Sequence, residues 1–214
     1  MFRLTPVVKN ILIANVVVFV FQMFAPTVDI GGCFGMSLPY GDDAISYYLS
    51  LFNISTPCFK PYQLFTYMFV HGGFTHLLFN MLALVFLGPI IETYWGPKRF
   101  LLFYIITGMG AAVFNILIGL LMHGGSFGYM MGASGAVYGV LTAFGVLFPN
   151  MELMLLFPPI PIKAKYLVLI LGGIAIYSGF RSTPGDNTAH FAHLGGIVVA
   201  VILIQFWRKR GNYY

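Results

Sequence analysis

The chain has 214 residues, of which 59% are hydrophobic and only 8% charged, with a formal charge of +5. Soluble domains carry roughly 25% charged residues, so a chain this apolar cannot clothe itself in a polar surface and takes lipid as its solvent. The basic excess lies between apolar runs rather than in one patch, which argues against nucleic acid as a partner and assigns the lysines and arginines to membrane topology.

Six apolar stretches follow one another along the chain: 7–24, 75–93, 100–122, 134–148, 166–180 and 188–207. About 20 residues cross a bilayer core, and the fourth and fifth stretches are short by that measure. Arg3 and Lys9 precede the apolar part of the first, as in a signal peptide. Phe24-Ala25-Pro26 makes a poor cleavage site, however, and a retained span is expected. Residues 25–61 are the one sizeable region outside the lipid. They mix turn residues (Gly31, Gly32, Pro39, Gly41, Pro57) with apolar clusters such as Tyr47-Tyr48-Leu49, and are expected to fold on the membrane surface.

Charge placement orients the spans. With the N-terminus in the cytoplasm, Arg3, Lys9, Lys98, Arg99, Lys163, Lys165, Arg208, Lys209 and Arg210 all fall inside, and only Lys60 and Arg181 outside. The expected architecture is an all-α membrane protein: a six-transmembrane-helix bundle with both termini cytoplasmic, one membrane domain over residues 1–214. Cys33 and Cys58 share the outer loop 25–61. Neither has a metal-ligand partner at C-x-x-C spacing, so no zinc is expected. They pair as a disulfide if that loop faces an oxidising compartment, or stay two partly buried thiols; the sequence leaves both open.

Polar groups inside a bilayer are costly and are therefore functional candidates. His71, His76, His190 and His193 lie at or within the outer ends of spans, Asn80 lies deep in the second, and Ser134 begins the fourth. Counting from His76 to Glu92, Ser134 to Asn150 and His193 to Arg208 gives depths of about 24, 24 and 22 Å. The three side chains share one level, and Asn80, a turn below His76 on the same face, leans toward it. Small residues at four-residue spacing, Gly135, Gly139 and Ala143 on the fourth stretch and Gly196 and Ala200 on the sixth, let two helices approach closely.

That level holds the parts for acyl transfer. A serine hydroxyl becomes a nucleophile when a base takes its proton, and histidine is the usual base near neutral pH. Gly132-Ala133-Ser134-Gly135 leaves the hydroxyl unobstructed, although Ser134 could equally cap its helix. On spacing alone, His190 or His193 could be the base. His76, Asn80 and the Ser134 N–H could stabilise an oxyanion. No carboxylate lies deep in a span, so a dyad is expected, with Tyr138 packing on the His193 ring. His71 and His190 read as hydrogen-bonded loop or interface residues, and His123 as a surface residue in a loop.

HGGFTHLLFN (His71–Asn80), GASG (Gly132–Gly135) and AHLGG (Ala192–Gly196), in that order on even-numbered spans, resemble the motifs of the rhomboid family of intramembrane serine proteases. The resemblance runs from about Pro61 to Leu203. It implies Ser134 as nucleophile, His193 rather than His190 as base, His76 and Asn80 at the oxyanion, and Tyr138, Gly132, Gly135 and Gly196 in support. It implies cleavage of single-span membrane proteins near the outer face, at small residues with helix-destabilising neighbours, without cofactor or metal. The partners implied are transmembrane substrates and lipid, in a prokaryotic plasma membrane. The Trp-Arg pair often found in the family's first loop is missing from 25–61. A water cavity under the loop 123–131, and a gate formed by the fifth span with the loop 178–187, are further expectations. Two other readings are a rhomboid-like protein that binds membrane helices without cutting them, and a metal-binding membrane protein using His71, His76, His190 and His193.

Overall fold

In the computed structural model, which describes residues 3–34, 41–123, 129–154, 159–181 and 190–209, Pro6 opens the first helix, α1 (Pro6–Phe24). Proline suits this position because its missing N–H would have no partner there. The next two free N–H groups, of Val7 and Val8, donate to the Glu92 carboxylate at 3.0 and 2.9 Å, and the Thr5 hydroxyl donates to it as well. A buried acid from a distant helix thus satisfies the helix start that a local cap would otherwise serve.

The described residues 25–34 and 41–66 form a small folded unit. Strand β1 (Thr27–Asp29) pairs antiparallel with β2 (Gly41–Asp43), and Asp43 caps α2 (Ala44–Leu49) by accepting from the Ser46 N–H at 2.8 Å. The two-residue strand β3 (Leu51–Phe52) and the single turn α3 (Gln63–Thr66) follow. Ile30, Cys33 and Phe52 make a core of their own, and Cys33 is disulfide-bonded to Cys58 across 25 residues of chain, which answers the question the sequence left open. The loop is too rich in buried apolar side chains to be a linker, as expected.

A 3₁₀ turn (Tyr67–Phe69) leads into α4 (Phe74–Trp95). Gly96, at φ +81°, turns the chain directly into α5 (Pro97–His123), which again starts on proline. His123 is therefore the last residue of a helix rather than part of a loop. Strand β4 (Tyr129–Met130) pairs with β3, so the 25–66 unit adds a strand to the segment just ahead of α6 (Ser134–Leu147). The hairpin of β5 (Glu152–Met154) and β6 (Pro161–Lys163) connects to α7 (Ala164–Phe180), and α8 (His190–Lys209) comes last.

Helices occupy all six apolar stretches, their ends within three residues of those expected wherever they are described. Four of them, α1, α4, α5 and α8, are long and apolar enough to cross a membrane; α6 and α7 are shorter apolar helices. Large apolar side chains such as Phe21, Leu117, Leu169 and Phe180 point outward, and water would not tolerate so continuous an apolar surface. The loop 124–128, the residues 182–187 of the expected gate, Thr188 and Arg210 lie outside the described residues.

Helix α6 is the axis of the bundle, packed by α4, α5, α7 and α8 and buried along most of its length. Its glycines set those distances. A Cβ on Gly139 would meet the Thr107 side chain of α5 at 2.7 Å, and one on Gly145 would meet Val168 of α7 at 2.6 Å. At Gly196 the contact is backbone to backbone: a Cβ there would lie 2.1 Å from the Gly135 carbonyl oxygen. The expected close approach of the fourth and sixth stretches is therefore made at Gly135 and Gly196, whereas Gly139 serves α5.

Candidate active site

The crossing at Gly135 and Gly196 brings together the residues just before it on each helix. Ser134 is the first residue of α6 and His193 lies one turn ahead of Gly196 on α8. His193 Nε2 and Ser134 Oγ are 2.7 Å apart. Both side chains are half-buried. Ala133, not Ser134, occupies the cap position, and the serine hydroxyl makes no cap hydrogen bond. The hydroxyl is thus committed to the imidazole. The Tyr138 ring, one turn along α6, stacks flat on His193, with centroids 4.4 Å apart and planes 4° apart. This fixes the ring plane that a carboxylate would otherwise orient. His190 lies edge-on to His193 at 6.3 Å, and of the two it is His193 that touches the Ser134 hydroxyl.

His76, in the first turn of α4, comes from the other side. Gly132 has φ +115°, and a Cβ there would fall 2.6–2.7 Å from the His76 ring. Only glycine fits, on both counts. The Gly72 N–H points at His76 Nδ1 (3.4 Å), which assigns the ring proton to Nε2, the nitrogen turned toward the Gly132-Ala133-Ser134 turn. Asn80 is buried, and its amide donates back to the His76 carbonyl at 2.9 Å. That bond engages one of its two N–H groups. Ser134 N–H, at a helix start, has no intrahelical partner. A Ser–His pair with N–H groups gathered round the serine can add the hydroxyl to a carbonyl, hold the resulting oxyanion and protonate the leaving group.

His71 is buried against this turn. Its Nε2 faces the Ala133 N–H at 3.5 Å and its ring lies edge-on to His76 at 5.0 Å. Burial first, and then the neighbouring His76, hold its pKa at about 4, against an ordinary 6.5. Three supports around the turn lay unnoticed in the sequence: Gln22 near the end of α1, which holds the His71 backbone, Tyr67, whose carbonyl accepts from the Gly132 N–H at 2.9 Å, and the pairing of β3 with β4. Gln22 had a signal, since it is a polar residue within an apolar stretch, as Asn80 is. Among the described residues, no three His, Cys, Asp or Glu side chains come together as metal ligands would.

Fold and site together define a polytopic integral membrane protein with a serine–histidine pair sunk in its helix bundle. The rhomboid domain family matches residues 59–210, and the chain belongs to the rhomboid family. It is 32% identical over 134 residues to rhomboid protein 1, mitochondrial, of Saccharomyces cerevisiae, covering 63% of this chain and 38% of that protein. It is 28% identical over 162 residues to the putative rhomboid protease YdcA of Bacillus subtilis (74% of this chain, 75% of that protein). Rhomboid protease GluP of the same bacterium is 31% identical over 144 residues (66% of this chain, 26% of that protein). The chain thus spans well under half the length of several relatives it matches.

Proposed function

We propose that the protein is an intramembrane serine endopeptidase that cleaves transmembrane proteins near the outer membrane face. The 2.7 Å contact between His193 Nε2 and Ser134 Oγ carries this reading. His193 takes the Ser134 proton as Oγ attacks the scissile carbonyl. It passes that proton to the leaving amine, and an acyl-enzyme remains. Water, deprotonated by the same imidazole, then attacks the ester and frees Ser134. His76 Nε2–H, the Asn80 amide and the Ser134 N–H are the donors for the oxyanion, and the stacked Tyr138 ring keeps His193 in plane. Gly132, Gly135 and Gly196 allow the close approaches that set these distances.

Residues 1–214 act as one rhomboid-like domain of six spans, with both termini cytoplasmic. The distribution of lysine and arginine supports that orientation, in a prokaryotic plasma membrane. The short α6 starts its span below the outer surface, where water can reach Ser134. No cofactor or metal enters the reaction as written.

The test is cleavage of a single-span model substrate by purified protein in detergent or lipid, beside Ser134→Ala and His193→Ala. Wild type should cut and both variants should be silent. Three silent but folded proteins would mean that the chain binds membrane helices without cutting them. Cleavage by all three would remove Ser134 and His193 from the mechanism.

A further inference from the structure

The turn that presents Ser134 has almost nothing of its own to hold it. Gly132 carries no side chain and lies in a backbone region with little preference for one conformation. Ala133 is buried and contributes only a methyl group. The two peptide planes on either side of Gly132 are held instead from outside, both by the segment 67–71. The Gly132 N–H donates to the Tyr67 carbonyl at 2.9 Å, and the Ala133 N–H points at His71 Nε2 at 3.5 Å.

That segment is itself clamped. Gln22 pairs with the His71 backbone on both sides, accepting its N–H at 3.0 Å and donating to its carbonyl at 3.1 Å, as a strand neighbour would. The same Gln22 nitrogen donates to Ser46 Oγ at 2.9 Å, and Ser46 is tied to Asp43 through its own N–H at 2.8 Å. Gln22, Ser46 and His71 are all buried. Through these bonds the Gln22 and Ser46 side chains and the His71 backbone hold one another in one geometry, while His71 Nδ1 is buried without a hydrogen-bond partner.

We infer that His71 is a positioning residue for the proposed reaction: with its backbone clamped by Gln22, it receives the Ala133 N–H at Nε2 and so sets the peptide that aims Ser134. The inference rests on the serine-protease reading of the site. It assigns the Ala133 N–H to His71, which leaves the Ser134 N–H as the backbone donor for the oxyanion. The role needs a lone pair on Nε2, hence a neutral ring, and burial, which lowers the His71 pKa to about 4, keeps the ring neutral near pH 7. A turn misaimed by about 1 Å costs on the order of 100-fold in rate, so the acceptor matters more to kcat than to substrate binding.

The test compares wild type with His71→Leu, His71→Gln and Gln22→Met, all in the full chain in detergent micelles. Three readouts are used: the rate at which a fluorophosphonate labels Ser134, kcat and KM on the model substrate, and hydrogen exchange of the peptide covering 129–135. His71→Leu, similar in bulk but without an acceptor, should lower labelling and kcat together by about 10- to 100-fold with KM within about twofold. Exchange of 129–135 should speed up. Gln, whose side-chain oxygen reaches the same place, should restore most of the rate and the protection, a rescue that a purely packing role would not give. Gln22→Met should shift all three readouts in the same direction by less. Wild-type labelling and exchange in His71→Leu would overturn the inference, as would Leu and Gln variants that fold equally well and fail equally. A wild type that no fluorophosphonate labels would sink the protease reading instead. The exchange of 129–135 would then still decide whether His71 holds the turn.

Discussion

Adding one methyl group at Gly196 should damage the site from below. A Cβ there would stand 2.1 Å from the Gly135 carbonyl oxygen and 3.0 Å from its carbon, both backbone atoms with no rotamer to escape into. A carbon needs roughly 3.3 Å from a carbonyl oxygen, so α6 and α8 must part by about 1 Å at the crossing. His193 is one turn ahead of Gly196, and Ser134 precedes Gly135. Opening their 2.7 Å contact by that amount takes it to about 3.7 Å, beyond hydrogen-bond reach. Gly196→Ala should therefore lower kcat by about 100-fold. Overpacking of this kind also costs about 1–3 kcal/mol, a fall of about 2–10 °C in Tm at this chain length. The control is Gly173→Ala on α7, where an added Cβ meets nothing within 4 Å; it should leave both quantities unchanged. Initial rates on the model substrate and thermal unfolding in the same detergent decide the matter. A Gly196→Ala protein that cuts and melts like wild type would refute the helix-crossing argument.

Three further predictions concern separate parts of the molecule. Glu92→Ala leaves the Val7 and Val8 N–H groups and the Thr5 hydroxyl without their acceptor. It should cost roughly 3 kcal/mol in unfolding free energy, while the folded fraction is labelled at Ser134 at the wild-type rate, because Glu92 lies at the far end of α4; a slowed rate would contradict that separation. Tyr138→Ala removes the ring stacked on His193 and should lower kcat by about tenfold or less, with Tyr138→Phe close to wild type; equal loss in both would implicate the hydroxyl instead. His71 has its folded pKa depressed to about 4, so the folded state binds its proton less readily than the unfolded chain. Its contribution to stability is complete above about pH 6.5 and is lost as pH falls from there toward 4, at up to about 1.4 kcal/mol per pH unit. Unfolding titrations of wild type and His71→Gln should diverge over that window, and parallel curves would refute the assignment.

The sequence by itself carried the solvent, the elements and the chemistry. Composition alone demands lipid, because no polar surface can be made from so few charged residues. Runs of apolar side chains broken by glycine, proline and lysine mark where helices begin and end, and these are local properties of the chain. Three polar side chains at one depth pointed to the site, because depth along a helix is a simple count of residues. Tertiary structure decided how those parts meet. Whether Cys33 reaches Cys58 depends on a loop core built from residues far apart in sequence. Gly139 was expected to face α8 and faces Thr107 of α5, since four-residue spacing says that a stripe is small, not which neighbour fills it. Spacing alone left His190 and His193 open, and the AHLGG motif favoured His193; that this ring touches Ser134 needed the rotation of α8 about its own axis and the Gly135–Gly196 crossing. That Glu92 caps α1, and that the polar Gln22 of the first stretch grips His71, could not be read beforehand for the same reason. A hydrogen bond between residues 49 or 84 positions apart leaves no periodic trace in a single sequence, and exists only once helix packing has placed its two ends together.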